Sequence, residues 1–189
     1  MPKIAVLISG GGSNLQSVID NIKNKNLDCT IEYVISDREC FGIKRAENEG
    51  IKTLVADRKK YRDSLSEKIG EFLDGNVDYI VLAGFLSILD TEFVKKWDRK
   101  IINIHPSLLP KYGGAGMYGI KIHEAVIKNN EKESGCTVHY VDTGIDTGEI
   151  IIQEKVTVTP DDTPETLQQK VLEKEHIILT EAIKKVFTK

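Results

Sequence analysis

The chain has 189 residues, 40% of them hydrophobic and 29% charged, enough for one globular α/β domain and short for two. A net charge of -3 with no polybasic run excludes an extended nucleic-acid surface, which shows as a basic excess. No apolar stretch approaches a membrane span, and no charged segment, apolar run and cleavage site follow one another at the start, so a cytoplasmic protein without membrane contact is expected.

Residues 4–15 read IAVLISGGGSNL. The β-branched run 4–8 has the length of a buried strand, and Leu15, Val18, Ile19 and Ile22 recur at helical spacing behind the glycines. The glycine loop therefore joins strand to helix. It leaves the first helical N–H groups unpaired at the positive end of the dipole, a place for a phosphate or carboxylate. No lysine follows the glycines, so the P-loop pattern G-x-x-x-x-G-K-[ST] is missing. The dinucleotide pattern G-x-G-x-x-G fits at Gly10 and Gly12 but meets Leu15 at its third glycine, while Asp37, closing the run IEYVISD, stands where a ribose-binding acid would. A small monophosphate is the leading reading and NAD an alternative. The plain structural reading is a tight turn with Ser13 or Asn14 as N-cap and no ligand. If an anion binds, a side chain at Gly12 is expected to obstruct its approach to the backbone.

Strand-like and helix-like runs then alternate. A strand over 31–35 precedes a short helix ending by Gly50, a strand over 53–55, and a helix over 61–73 with Gly75 behind it. Next come YIVLA at 79–83, a helix around Phe93, Val94 and Trp97 that Asp90 caps, and IINI at 101–104. This βαβ order implies a parallel sheet. CTVHYV and EIIIQEKVTV are longer and flank a Gly- and Asp-rich loop, which points to added antiparallel strands. A long C-terminal helix is expected from Asp162, with Glu165 completing a capping box. The fold class is α/β: a single domain, 1–189, with a mostly parallel twisted, Rossmann-like sheet flanked by helices. Cys29, Cys40 and Cys136 are odd in number and far apart, suiting neither a disulfide framework nor a metal site, and read as packing residues.

In open α/β sheets ligands bind beyond the carboxyl ends of the strands. After YIVLA the loop continues as Gly84, Phe85, Leu86, Ser87, Ile88 and Leu89, apolar where a polar loop would be ordinary. In IINIHP the residue before proline is held extended, so Asn103 and His105, two apart, project to one side of the strand end. An amide beside an imidazole can polarise a carbonyl and move a proton; a lone strand-end histidine is more often structural. The loop VDTGIDTGEI, 141–150, holds Asp142 and Asp146, which are either turn formers or a functional carboxylate.

VLISGGGSNLQ, VLAGFLSIL, INIHPSLLPKY and TVHYVDTGIDTGEII together resemble the glycinamide ribonucleotide formyltransferases, within the folate-dependent formyltransferase superfamily, over nearly the whole chain. The resemblance implies a formyltransferase fold and formyl transfer from 10-formyltetrahydrofolate to the amine of glycinamide ribonucleotide, with no metal. NIHPSLLP is shared with methionyl-tRNA formyltransferases and with formyltetrahydrofolate deformylase, so it bears on the donor more than on the acceptor. The glycine loop and the length bear on the acceptor, because those two relatives are expected to carry a further domain. Water in place of the amine, as in the deformylase, is the enzymatic alternative, and a nucleotide or sugar-phosphate binding module the non-enzymatic one.

Matched position by position, the resemblance implies a catalytic trio of Asn103, His105 and Asp146, the last chosen over Asp142 by its distance from His139. It implies a phosphate site at Gly12, Ser13 and Asn14, and a folate segment of Leu86, Ser87, Ile88 and Leu89, joined by Asn103 and Arg62. Glu175 matches a residue that binds the ribonucleotide. Two places depart from the family pattern: Gly114 and Ala115 in the loop GGAGMYG, and Glu149, where proline is common. Glu175 also stands out by periodicity, since Val171, Leu172, Ile178 and Leu179 surround it on one helix stripe. A carboxylate there requires a partner, either a structural salt bridge or the amine or hydroxyls of a ligand.

Overall fold

Residues 1–187 are described by the structure, a computed structural model. The first strand, β1 (Lys3–Ile8), alternates its side chains across the sheet: Ile4, Val6 and Ile8 enter one core, Ala5 and Leu7 the other. Both faces are covered by helices, which is why the run reads as continuously apolar. It is followed by α1 (Ser13–Lys23), β2 (Thr30–Ser36), α2 (Phe41–Asn48) and β3 (Lys52–Val55).

The single helix expected over 61–73 is instead three pieces: α3 (Arg58–Tyr61), a 3₁₀ turn (Arg62–Ser64) and α4 (Leu65–Leu73). Only Leu65, Ile69 and Leu73 of that stripe are fully buried, and the polar stretch at 62–64 turns outward through Arg62 at φ 45°. Then come β4 (Tyr79–Leu82), α5 (Thr91–Lys96) and β5 (Ile101–His105). Asp90 caps α5 as expected, its side chain accepting from the Phe93 N–H at 2.8 Å. A further helix, α6 (Ile120–Lys128), was not foreseen, although Ile122 and Val126 four apart carry its buried face.

The chain ends in β6 (Glu133–Tyr140), β7 (Ile150–Thr157) and α7 (Pro164–Phe187). The expected capping box does not form. Pro164, which has no N–H to satisfy, takes the first helical position, and Thr163 and Thr166 bond reciprocally between backbone N–H and hydroxyl at 2.9 and 3.3 Å. Asp162, itself outside the helix, instead accepts from Thr159 and from Thr166 and Lys170 of α7.

One seven-stranded sheet runs in the order β3-β2-β1-β4-β5-β6-β7. The pairings from β3 through to β5 are parallel; β6 and β7 add antiparallel, as read from the sequence. Chain direction across the sheet reverses between β1 and β4, and this switch point opens a crevice at the carboxyl edge. The cysteines are free, with Cys29 and Cys136 buried in the core. Among the described residues no helix is long and apolar enough to cross a membrane.

Candidate active site

A cavity of about 660 Å³ fills that crevice, within the ordinary range for a small-molecule site. The glycine loop closes one end. Gly12, at φ 73°, is the N-cap of α1, and no side chain caps the helix, so neither Ser13 nor Asn14 takes that part. The first N–H groups of α1 are thereby left for something in the cavity, which 10–14 line. A Cβ on Gly12 would stand 2.9 Å from the Gly42 Cα, so this glycine answers to a left-handed φ and to the packing of α2. A Cβ on Gly10 or Gly11 would meet no atom within 4 Å. From α2, the Gly42 N–H donates to Gly10 O at 3.0 Å and Arg45 Nε to Gly11 O at 2.8 Å.

Asn103, His105 and Asp146 meet at the mouth of β5. Asn103 Nδ2 donates to His139 Nε2 at 3.1 Å, and His139 Nδ1 donates to Tyr140 O at 2.8 Å, which fixes that ring's tautomer. His105 Nε2 gives its proton to Tyr112 O at 2.9 Å. Its Nδ1 is therefore the lone-pair nitrogen in the neutral ring, and it faces Asp146 Oδ2 at 3.6 Å. The other Asp146 oxygen lies 3.7 Å from His139 Nε2, and the Gly114 N–H donates to Oδ2 at 3.0 Å.

Burial lowers the pKa of His105, with Asp146 and the Tyr112 carbonyl pulling the other way. Burial by itself would raise Asp146, but His139, His105 and the Gly114 N–H together hold it below the usual carboxylate value. The site at rest is a neutral imidazole beside a charged carboxylate.

The apolar segment lines the same cavity. Leu86 and Ile88 are 42% and 72% exposed, while Leu89 is buried. Ser87 has its side chain turned away: its hydroxyl donates to Asp37 at 2.6 Å. Asp37 is fully buried and also takes two bonds from Arg38, both at 2.8 Å, so its carboxylate is committed to the protein and the NAD alternative loses its ribose acid. Arg62 stands apart, exposed on its 3₁₀ turn and not among the lining residues. Glu149 pairs with Arg99 at 2.8 Å on the surface.

Glu175 lines the cavity from α7 and is 7% exposed. The salt-bridge reading fails, because its partner is neutral: Asn14 Nδ2 donates to Oε2 at 2.6 Å. Burial raises its pKa above 4.5, with only the Asn14 bond opposing. The folded protein then keeps a proton that the unfolded chain gives up. This contribution to stability is whole below the ordinary pKa and is lost as pH rises through the raised one. Glu175→Gln keeps an acceptor for Asn14 and cannot ionise, so its urea midpoint is expected to exceed wild type at about pH 8 and to match it near pH 4. A gap that closes with rising pH would reveal a cation partner for Glu175.

A family model described as formyl transferase matches residues 2–183. The chain belongs to the formyl transferase family. The chloroplastic phosphoribosylglycinamide formyltransferase of Arabidopsis thaliana is 37% identical over 186 residues, covering 96% of this chain and 64% of that protein. The human trifunctional purine biosynthetic protein adenosine-3 is 40% identical over 190 residues, 97% of this chain and 18% of that one. The chain thus spans less than two thirds of the length of either relative. The crystal structure of glycinamide ribonucleotide transformylase 1 from Symbiobacterium toebii superposes with a TM-score of 0.90 at 36% identity, over 97% of this chain and 86% of that one.

Two cavity residues of this formyl transferase chain were not singled out from sequence. His139 served only as a spacing mark, yet it touches both Asn103 and Asp146. His123 on α6 is 1% exposed, its Nδ1 has no hydrogen-bond partner among the described residues, and burial pushes its pKa down to about 4. The signal for His139 was its place on a strand beside β5, where register sets it opposite Asn103.

Proposed function

We propose that this chain transfers the formyl group of 10-formyltetrahydrofolate to the amine of glycinamide ribonucleotide, a step in purine synthesis. The observation that carries the reading is a single cavity joining an open helix start, an Asn/His/Asp group and an apolar slot. A phosphate suits the N–H groups of Gly12, Ser13 and Asn14, and Glu175 beside Asn14 suits the hydroxyls or amine of the ribonucleotide. Leu86, Ile88 and Leu89 fit a planar ring, whose burial would cover the apolar surface that Leu86 and Ile88 leave to solvent. Ser87 serves that segment through its backbone and its bond to Asp37, and Asn103 reaches both reactants. Arg62 is assigned at most to a remote, exposed part of the folate. The relatives' names, given above, agree with this reading.

The folate supplies a formyl carbon held on nitrogen; the chain's own groups do the rest. Asn103 has two amide hydrogens and gives His139 only one, so the other is free for the oxygen on which charge develops as the amine attacks. His105, with its N–H taken by Tyr112, is a base rather than a donor at Nδ1, and it takes the proton that the attacking amine loses. Asp146, charged and 3.6 Å away, stabilises the imidazolium so formed. As the tetrahedral carbon collapses, its bond to the folate nitrogen breaks and that nitrogen takes the proton back from His105, leaving the formylated amine, tetrahydrofolate and a neutral imidazole.

The direct test is formyl transfer from 10-formyltetrahydrofolate with and without glycinamide ribonucleotide. Product is expected only with the ribonucleotide; equal release of formate without it would favour the hydrolase. Gly11→Val tests the phosphate end, because Gly11 lines the cavity and a Cβ there meets no atom within 4 Å. The ribonucleotide KM is expected to rise at least about tenfold with the folate KM unchanged. Equal loss for both reactants would place the phosphate elsewhere.

A further inference from the structure

The segment after β5 holds both partners of the proton site. Tyr112 O accepts from His105 Nε2, and two residues on, the Gly114 N–H donates to Asp146. Tyr112 is itself in the left-handed region at φ 55°, a conformation that a bulky residue keeps only when its surroundings fix it. Part of that fixing is local. Ser107 Oγ donates to Lys111 O at 2.7 Å, and Thr137 Oγ1 donates to Ser107 O at 2.7 Å.

The rest comes from beyond α6. Glu131 Oε1 accepts from the Tyr112 hydroxyl at 3.0 Å and from Lys111 Nζ at 3.2 Å, while Asn129 Nδ2 donates to the same hydroxyl at 3.0 Å. One carboxylate outside the cavity thus holds two successive residues of the turn, and the turn's carbonyl selects which His105 nitrogen carries hydrogen. Glu131 is not among the residues lining the cavity.

We propose that Glu131 is a positioning residue: acting through the Tyr112 ring, it holds the Tyr112 carbonyl against His105 Nε2 and so keeps His105 Nδ1 free to take the proton. The inference rests on His105 acting as base in the function proposed above. Without the strap, the Tyr112 peptide can rotate away, the Asp146 carboxylate beside Nδ1 then favours hydrogen on that nitrogen, and part of the population presents N–H where a lone pair is needed. The titratable groups facing His105 are Asp146, from the β6–β7 loop, and His139, from β6, and the strap touches neither. Loss of the carbonyl contact removes a bond that favours the charged ring, so the His105 pKa should fall.

The experiment uses the whole chain with Tyr112→Phe, Glu131→Leu and Glu131→Gln. Tyr112→Phe removes one hydroxyl and leaves the carbonyl in place; Glu131→Gln retains an acceptor for that hydroxyl. Expected are a kcat lower by at least about threefold for Tyr112→Phe and Glu131→Leu, unchanged KM values, and a double variant no worse than the singles. Glu131→Gln should recover most of the loss. Nitrogen-15 NMR of the imidazoles should show His105 as one tautomer, protonated at Nε2, in wild type and as a mixture in the two damaged variants. The inference is overturned if both variants keep the wild-type tautomer and acid limb, whether or not their melting temperature falls. A wild type that transfers no formyl group would sink the proposed function instead, and the NMR comparison would still decide whether Glu131 sets the tautomer.

Discussion

Asn103→Ala is expected to lower kcat by about 10²–10³, the usual consequence of losing one donor to a developing oxyanion. The fold should survive. Asn103 is half-buried toward the carboxyl end of β5, and its side chain bonds to His139 rather than to the core. The opposite residue across the β5–β6 ladder is the same His139, whose ring stays anchored through Nδ1 to Tyr140 O. The loss should thus fall on kcat, with folate and ribonucleotide KM changed little, because the missing bond matters only when charge builds on the formyl oxygen. Single-turnover rates with saturating reactants, beside a urea melt, separate this from misfolding. Turnover at the wild-type rate would take the oxyanion away from Asn103.

The parts of this arrangement that a sequence can carry are those written in local periodicity. β1 reads as a buried strand because both its faces are covered, and the parallel pairing from β3 through β5, though not the order of those strands, follows from strand and helix alternation. Asn103 and His105 were legible as a pair because a strand-end proline fixes their direction. What escaped depends on contacts between distant segments. His139 becomes part of the site only through the register of β6 on β5, and the partner of Glu175 lies 161 residues away on α1. The break at 62–64 escaped for a different reason: Tyr61, Leu65, Ile69 and Leu73 keep the spacing of one helix, and nothing in that pattern says that Tyr61 packs on the same core from the end of a separate helix. The capping box at Asp162 failed because a proline two residues later competes for the first turn, and side-chain spelling yielded to backbone chemistry.

Asp146→Asn is expected to cost at least about 10² in kcat and to move the acid limb of the pH profile toward lower pH. Both effects come from one missing charge. In wild type the carboxylate raises the His105 pKa against the burial that lowers it. Asparagine removes the raising influence and leaves the burial, so the imidazole titrates lower still. A base is inactive once protonated, and a lower pKa therefore keeps it in its working form to a more acid pH, while its weaker affinity for the proton slows every turnover. The loop itself should hold, since an asparagine tolerates the left-handed φ of 57° at this position and its Oδ1 can still accept from the Gly114 N–H. The measurement is kcat/KM across about pH 5–9, with His105→Ala and the double variant beside it. If the two residues act in one proton transfer, the double variant falls no further than the worse single one. An acid limb that stays in place, or moves to higher pH, would show that the group titrating in the free enzyme is not His105 under the field of Asp146.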